Sequence, residues 1–253
     1  MNAMEFVKSV DLTGTPMSIV EQDAATDVTA IFDQAKPQSQ IVGSSILSFS
    51  TGVEPGLREA ISDCALLAQL VANKQVPDQT KPLDWFAAYS SVLLNLGWTL
   101  QDSGFTDYST QGNAVEVNEQ IMTVLSVALG AAPAALAIIA ATVEALKKMQ
   151  PDSPWLTLFS RESQKATIAR FQVGIADKDE TRGAFITLCA FLIEANTSIT
   201  QLLFFKFKQS HASFKANTAQ VSFNQSALVD LSVSIRAKTN RYQHDYVSSI
   251  LDI

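Results

Sequence analysis

Residues Ile121–Leu146 read IMTVLSVALGAAPAALAIIAATVEAL, and from Ile121 to Val143 there is no Asp, Glu, Lys, Arg or His. An apolar run of that length is long enough to cross a bilayer as one helix. Gly130 and Pro133 stand in its middle, and Thr123, Ser126 and Thr142 interrupt it. Proline is well placed at a first helical turn and poorly placed inside a helix. The stretch therefore predicts two buried helices, broken near Gly130–Pro133. Lys147 and Lys148 close the second one, where cations complement a helix C-terminus.

Upstream, residues 1–14 read as a loose lead-in. Thr15-Pro16 opens a predicted helix to about Gln34, with Ile31 and Phe32 turned inward, and Lys36-Pro37 ends it. The serine-rich IVGSSILSFSTG at 41–52 predicts extended chain or loop. Glu54-Pro55 opens a strong helix to about Lys74, because Leu57, Ile61, Cys64, Ala68 and Val71 fall on one face. Asp84 is the expected cap of the next helix, which carries Trp85, Tyr89, Val92, Leu93 and Leu96 on one side and stops at Ser103-Gly104.

After Pro154 the period changes. Thr167–Ile175 alternates, Asp177-Lys178-Asp179 reads as a turn, Gly183–Ala195 is apolar on both faces, and Leu202–Lys208 and Phe214–Phe223 alternate again. Period-2 runs joined by short polar turns predict an antiparallel meander. Ser226–Ile253 returns to helical spacing. The pattern is α+β: N-terminal helices packed with a C-terminal antiparallel β-meander and a closing helix, in a single domain over 1–253. A strand apolar on both faces must be covered on both sides. Gly183–Ala195 is therefore expected deep in the fold, with Cys189 at its centre.

The net charge is −7, so clustered basic surface for nucleic acid is lacking, and no nucleic-acid partner is expected. Attraction to anionic lipid by charge alone is equally disfavoured. Cys64 and Cys189 make no disulfide framework. The N-terminus lacks the apolar core of a secretory signal, which implies a cytoplasmic protein or export by another route. There is no phosphate loop, no dinucleotide fingerprint, no H-E-x-x-H, no C-x-x-C and no G-x-S-x-G. No metal is expected: Asp177, Asp179 and Glu180 read as a solvated turn. No catalytic role is expected of His211 or His244.

The order of helices, a late strand block with a central cysteine and a closing helix resembles the Erwinia virulence factor family. In that family a cysteine carries a thioester-linked palmitate packed inside the fold, and no enzymatic activity is established. The resemblance implies a non-enzymatic virulence or host-interaction factor whose acyl-bearing residue is Cys189. The expected lipid pocket is then Phe185, Phe191 and Ile193 on the strand, with Leu136, Ile138 and Ile139 covering it. A fatty acyl chain is the expected ligand, and a membrane or a host protein the expected partner. Two alternatives stay open: a membrane-active, pore-forming-like toxin deploying residues 121–143, and a hydrolase or acyltransferase whose triad is not visible in the sequence.

Overall fold

The structure is a computed structural model that describes residues 1–15, 31–108, 116–130, 132–179, 183–204 and 212–253. Its centre is a mixed sheet with helices on both faces. The strands are β1 (Gln38–Val42), β2 (Ser45–Phe49), β3 (Thr99–Asp102), β4 (Thr106–Asp107), β5 (Gln164–Lys165), β6 (Ile168–Asp179), β7 (Gly183–Glu194), β8 (Ser213–Ser222) and β9 (Leu251–Asp252). The spatial order is β3-β8-β7-β6-β2-β1-β9, with β4 beside β8 and β5 beside β6. β6, β7 and β8 form the expected antiparallel meander. The α+β class and the closing helix are as the sequence predicts.

Two apolar cores lie on opposite faces of this sheet. One holds α1 (Ala3–Ser9), α2 (Pro55–Gln75), α3 (Pro82–Asn95) and α7 (Gln225–Tyr246) against Ala184, Ile186, Leu188 and Leu192 of β7. The other holds α4 (Val117–Leu129), α5 (Pro133–Lys148) and α6 (Pro154–Ser163) against Cys189, Phe191 and Ile193 of the same strand. Alternate side chains of a strand point to opposite faces, so β7 serves both cores. That is why it is apolar throughout.

The apolar stretch breaks where expected. α4 ends at Gly130, whose φ of +52° suits glycine, and α5 starts at Pro133. The Glu119 carboxylate accepts the Glu116 backbone N–H at the start of α4. α7 begins with the Asn224 side chain accepting the Ala227 N–H at 3.0 Å.

Several expectations are corrected. Residues 3–9 of the lead-in are helical, because Asn2 and Glu5 form a capping box. Most of the helix predicted from Thr15 to Gln34 lies outside the described residues. At 31–34 the chain is not helical, and Ile31 is exposed while Phe32 is buried. Of the two readings of 41–52, extended chain holds: Ile41–Val42 and Ser45–Phe49 pair in the hairpin β1–β2. α3 starts at Pro82, not at an Asp84 cap, and ends at Asn95 before the tight turn at Gly97. β6 continues through Asp177–Asp179, which are paired with Gly183–Phe185 instead of turning. Leu202–Phe204 forms a 3-10 turn, not the start of a strand. Residues 205–208 lie outside the described residues. The helix α6, unassigned from the sequence, begins at Pro154 behind the Ser153 cap and buries Trp155, Leu156, Leu158 and Phe159 on one face.

The serines of β1 and β2 are buried because they have partners. Ser39 Oγ lies 2.9 Å from Ser48 Oγ and 2.7 Å from Thr142 Oγ1 of α5. Ser44 and Ser45 donate to the Gln172 carboxamide oxygen at 3.3 and 3.0 Å. Buried hydroxyls matched in this way cost little. Between the strands, Gly43 has φ +52°, and a Cβ there would collide with the Gln69 amide. Gly43→Ala should cost about 2–4 kcal/mol, from left-handed backbone plus loss of the Gln69–Ser44 hydrogen bonds. A urea titration checks this; an unchanged midpoint would refute it.

Candidate functional site

The apolar helices form the outer layer over one sheet face. Val117, Ile121, Val124 and Leu125 of α4, and Ala135, Ile139, Val143 and Leu146 of α5, point at the sheet and are buried. Their other side faces solvent through Thr123, Ser126, Val127, Ala134, Ala137 and Ala141. Val127 is 72% exposed. The charges on this face, Glu119, Glu144 and Lys148, gather at one end of the helix pair, where Lys147 of α5 lies 4.0 Å from the Glu116 carboxylate before α4; from 120 to 143 the sequence carries none. Away from that end the solvent-facing surface is uncharged and made of small or apolar residues. No described helix is long and apolar enough to cross a membrane. With 13 and 16 residues, α4 and α5 span about 20 and 24 Å, against roughly 30 Å of hydrocarbon.

Beneath this layer, Cys189 sits opposite Val173 on β6 and Thr218 on β8. It is fully buried, and burial pushes its thiol up to about 12. Among the described residues no hydrogen-bonding or cationic group offsets that, so the sulfur stays a thiol at neutral pH. Phe191 and Ile193 share its core, as does Ile139 of α5. Phe191 stacks on Phe171 with ring centroids 5.0 Å apart and meets Phe214 at 5.6 Å. Leu136 and Ile138 are half-buried at the rim of that core. Phe185 is half-buried and stands apart, opposite Asp177 near the strand end. The structure thus gathers Cys189, Phe191, Ile193 and Ile139 into one core. None of the three clefts described on the surface has Cys189 in its wall. Cys64 lies in the opposite core, its thiol also pushed up by burial.

His244 is exposed on α7 with its Nδ1 3.5 Å from the Asp245 carboxylate; His211 lies outside the described residues. Asp177 accepts the Ser50 hydroxyl, and Glu180 lies outside the described residues. Among the described residues, no group of three potential metal ligands occurs.

A buried polar network under α2 was not legible in the sequence. Arg170 and Gln172 of β6 face α2, which answers with Gln69 and Asn73. The Gln69 carboxamide oxygen accepts from the Ser44 N–H and hydroxyl at 2.8 and 3.0 Å. Arg170 lies 4.3 Å over the Trp85 ring and donates to Asn73 Oδ1, which also accepts the Trp85 N–H at 2.7 Å. Burial lowers the Arg170 guanidinium to about 10. The Glu162 carboxyl of α6 accepts from Arg161 at 2.7 Å and faces Gln69. Burial raises it above the usual carboxylate range, against the pull of Arg161 and Arg170. The only advance signal was polar residues at alternate positions of β6.

Folded, Glu162 binds its proton more readily than unfolded, so folding gains as pH falls from the raised value toward about 4. Glu162→Gln should flatten stability against pH in that window relative to the parent chain. Urea titrations at a series of pH values test it, and a slope identical to the parent would refute it.

No family model matches the chain, and no curated protein matches it. Among solved structures, it is similar to a delta-endotoxin at 12% identity and TM-score 0.42, over 83% of this chain and 92% of that one. It is similar to the activated Cyt2Ba monomer from Bacillus thuringiensis subsp. israelensis at 18% identity and TM-score 0.37, over 70% and 95%. It is similar to the Evf virulence factor at 11% identity and TM-score 0.34, over 86% and 85%. The resemblance read from the sequence thus has a distant structural counterpart. Likeness of this order concerns the course of the chain and carries no activity across.

Proposed function

We propose that the protein is a non-enzymatic, membrane-active virulence factor that meets lipid through α4–α5. One observation supports this most directly: from Gln120 to Val143 the helix pair carries no charged residue, so its solvent side is uncharged away from the end that holds Glu119 and Glu144. An uncharged helix face can lie in the headgroup region with little desolvation cost. Neither helix spans a bilayer alone, so the pair lies along the surface. With a net charge of −7, attraction to anionic lipid is weak, and the apolar face dominates. The chain should co-float with phosphatidylcholine vesicles, and added phosphatidylserine should not strengthen binding. Absence from the vesicle fraction at any lipid concentration would sink this reading.

A buried acyl chain on Cys189 is a second proposal, favoured by the wholly apolar residues that share its core. A thiol so buried and so weakly acidic is a poor nucleophile in the folded protein. Acylation would therefore precede closure of α4–α5 over the sheet. Intact mass before and after hydroxylamine decides it: the expected result is a labile adduct that Cys189→Ser removes and Cys64→Ser retains. An unmodified mass in protein purified from its producing cell would overturn it.

A further inference from the structure

The sheet face under α4 and α5 is largely apolar; Ser39 and Ser48 are matched by Thr142 of α5, and a second polar group stands at the opposite, β3 end. There, Gln101 of β3, Gln220 of β8 and Thr187 of β7 stand in one row across three neighbouring strands. Paired residues of antiparallel strands project to the same side. The row continues into Ile175 on β6, where the face is apolar again. Above it lies a cleft of about 280 Å³, walled by these three residues with Asp102, Ser103 and Thr218. Ala128, near the C-terminal end of α4, closes one side.

These polar groups are only loosely engaged with one another. Gln220 Nε2 reaches Thr187 Oγ1 at 3.4 Å, and the Ser103 and Thr218 hydroxyls are 3.5 Å apart. Asp102 Oδ1 accepts the Gly104 N–H at 3.3 Å. All three exceed the usual range of about 2.7–3.2 Å. Gln101 makes no side-chain hydrogen bond among the described residues. Amides, hydroxyls and one carboxylate offer donors and acceptors alternately over a small area. Among the described residues no Lys or Arg lines the cleft, so a phosphate or carboxylate ligand finds no counter-charge there. One carboxylate is too little for a hard cation. The volume lies just below the roughly 300–1,000 Å³ of drug-sized pockets, which suits a single ring.

We propose that this cleft binds one neutral sugar ring through its hydroxyls. The sugar can come from a glycolipid headgroup or from a soluble glycan, and the site stands independently of the lipid contact at α4–α5. The test uses the full chain and the methyl glycosides of glucose, galactose, mannose and N-acetylglucosamine, followed by saturation-transfer NMR. At least one should bind in the millimolar range. Gln101→Ala combined with Gln220→Ala, both at exposed positions, should weaken it at least tenfold. Thr200→Ala, in a different cleft, should leave it unchanged. A second arm compares phosphatidylcholine vesicles with and without galactosylceramide. A glycolipid gain erased by the double substitution assigns the headgroup; glycoside binding without that gain assigns a soluble glycan. Failure of both arms, or binding that survives the double substitution, overturns the proposal. Binding to plain phosphatidylcholine is read separately, because it depends on α4–α5 and not on Gln101 or Gln220.

Discussion

Arg58→Met should cost about 3–5 kcal/mol, a large part of a stability that is typically about 5–15 kcal/mol. Arg58 is fully buried on α2, and among the described residues no carboxylate hydrogen-bonds to it, Asp33 acting on it through charge alone. Its guanidinium donates to the carbonyl oxygens of Val53, Lys36 and Ser50 and to Gln38 Oε1, at 2.7–3.1 Å. Phe32 and Phe49 flank it with ring centroids at 5.9 and 5.7 Å. Methionine keeps much of the volume but takes the side-chain donor from three carbonyl oxygens, each worth about 1–3 kcal/mol when left dry, and leaves Gln38 Oε1 with the Asp33 N–H alone. Gln38 in turn holds Asp252, so the loss spreads to the chain end at β9. Thermal unfolding should fall by roughly 6–20 °C for a chain of this size. A shift of a degree or two would mean that water replaces the guanidinium at little cost.

Val127→Glu with Ala137→Glu should separate lipid binding from folding. Both positions are solvent-facing, one on each apolar helix, so the melting temperature should move little. In the interface each new carboxylate opposes insertion by about 2 kcal/mol, less than its cost at the bilayer centre. Together they should weaken binding to phosphatidylcholine vesicles on the order of 10³-fold. Undiminished flotation of the folded double variant would place the lipid contact elsewhere.

How much of this was readable in advance depended on whether a residue's partner was near in sequence. The break at Gly130–Pro133 is local chemistry, and it appears where the residues put it. The double burial of β7 is also written in its own side chains. β1 and β2 were legible only as extended chain or loop, because Ser39, Ser45 and Ser48 look like loop residues until Thr142 and Gln172 answer them from far along the chain. The same holds for Arg58, whose acceptors are mostly backbone carbonyls that carry no sequence signature. For the cysteine, sequence could place Cys189 deep in the sheet with Phe191, Ile193 and Ile139. It could not place Phe185, which the strand carries out toward Asp177.

The pairing of β2 with β6 bears on how the molecule assembles. It is the one parallel pairing among the described residues, and Ser45 lies beside Gln172, 127 positions away. The hairpin β1–β2 and the meander β6–β8 are each built from near neighbours and can form early. Their union must wait until α2 through α6 have been gathered, because contacts of such separation repay their loop-closure entropy last. The slow step of folding should therefore be the closing of this seam. Gly174, against which Leu47 and Leu188 pack, lies on it, so a larger side chain there should slow refolding more than it speeds unfolding.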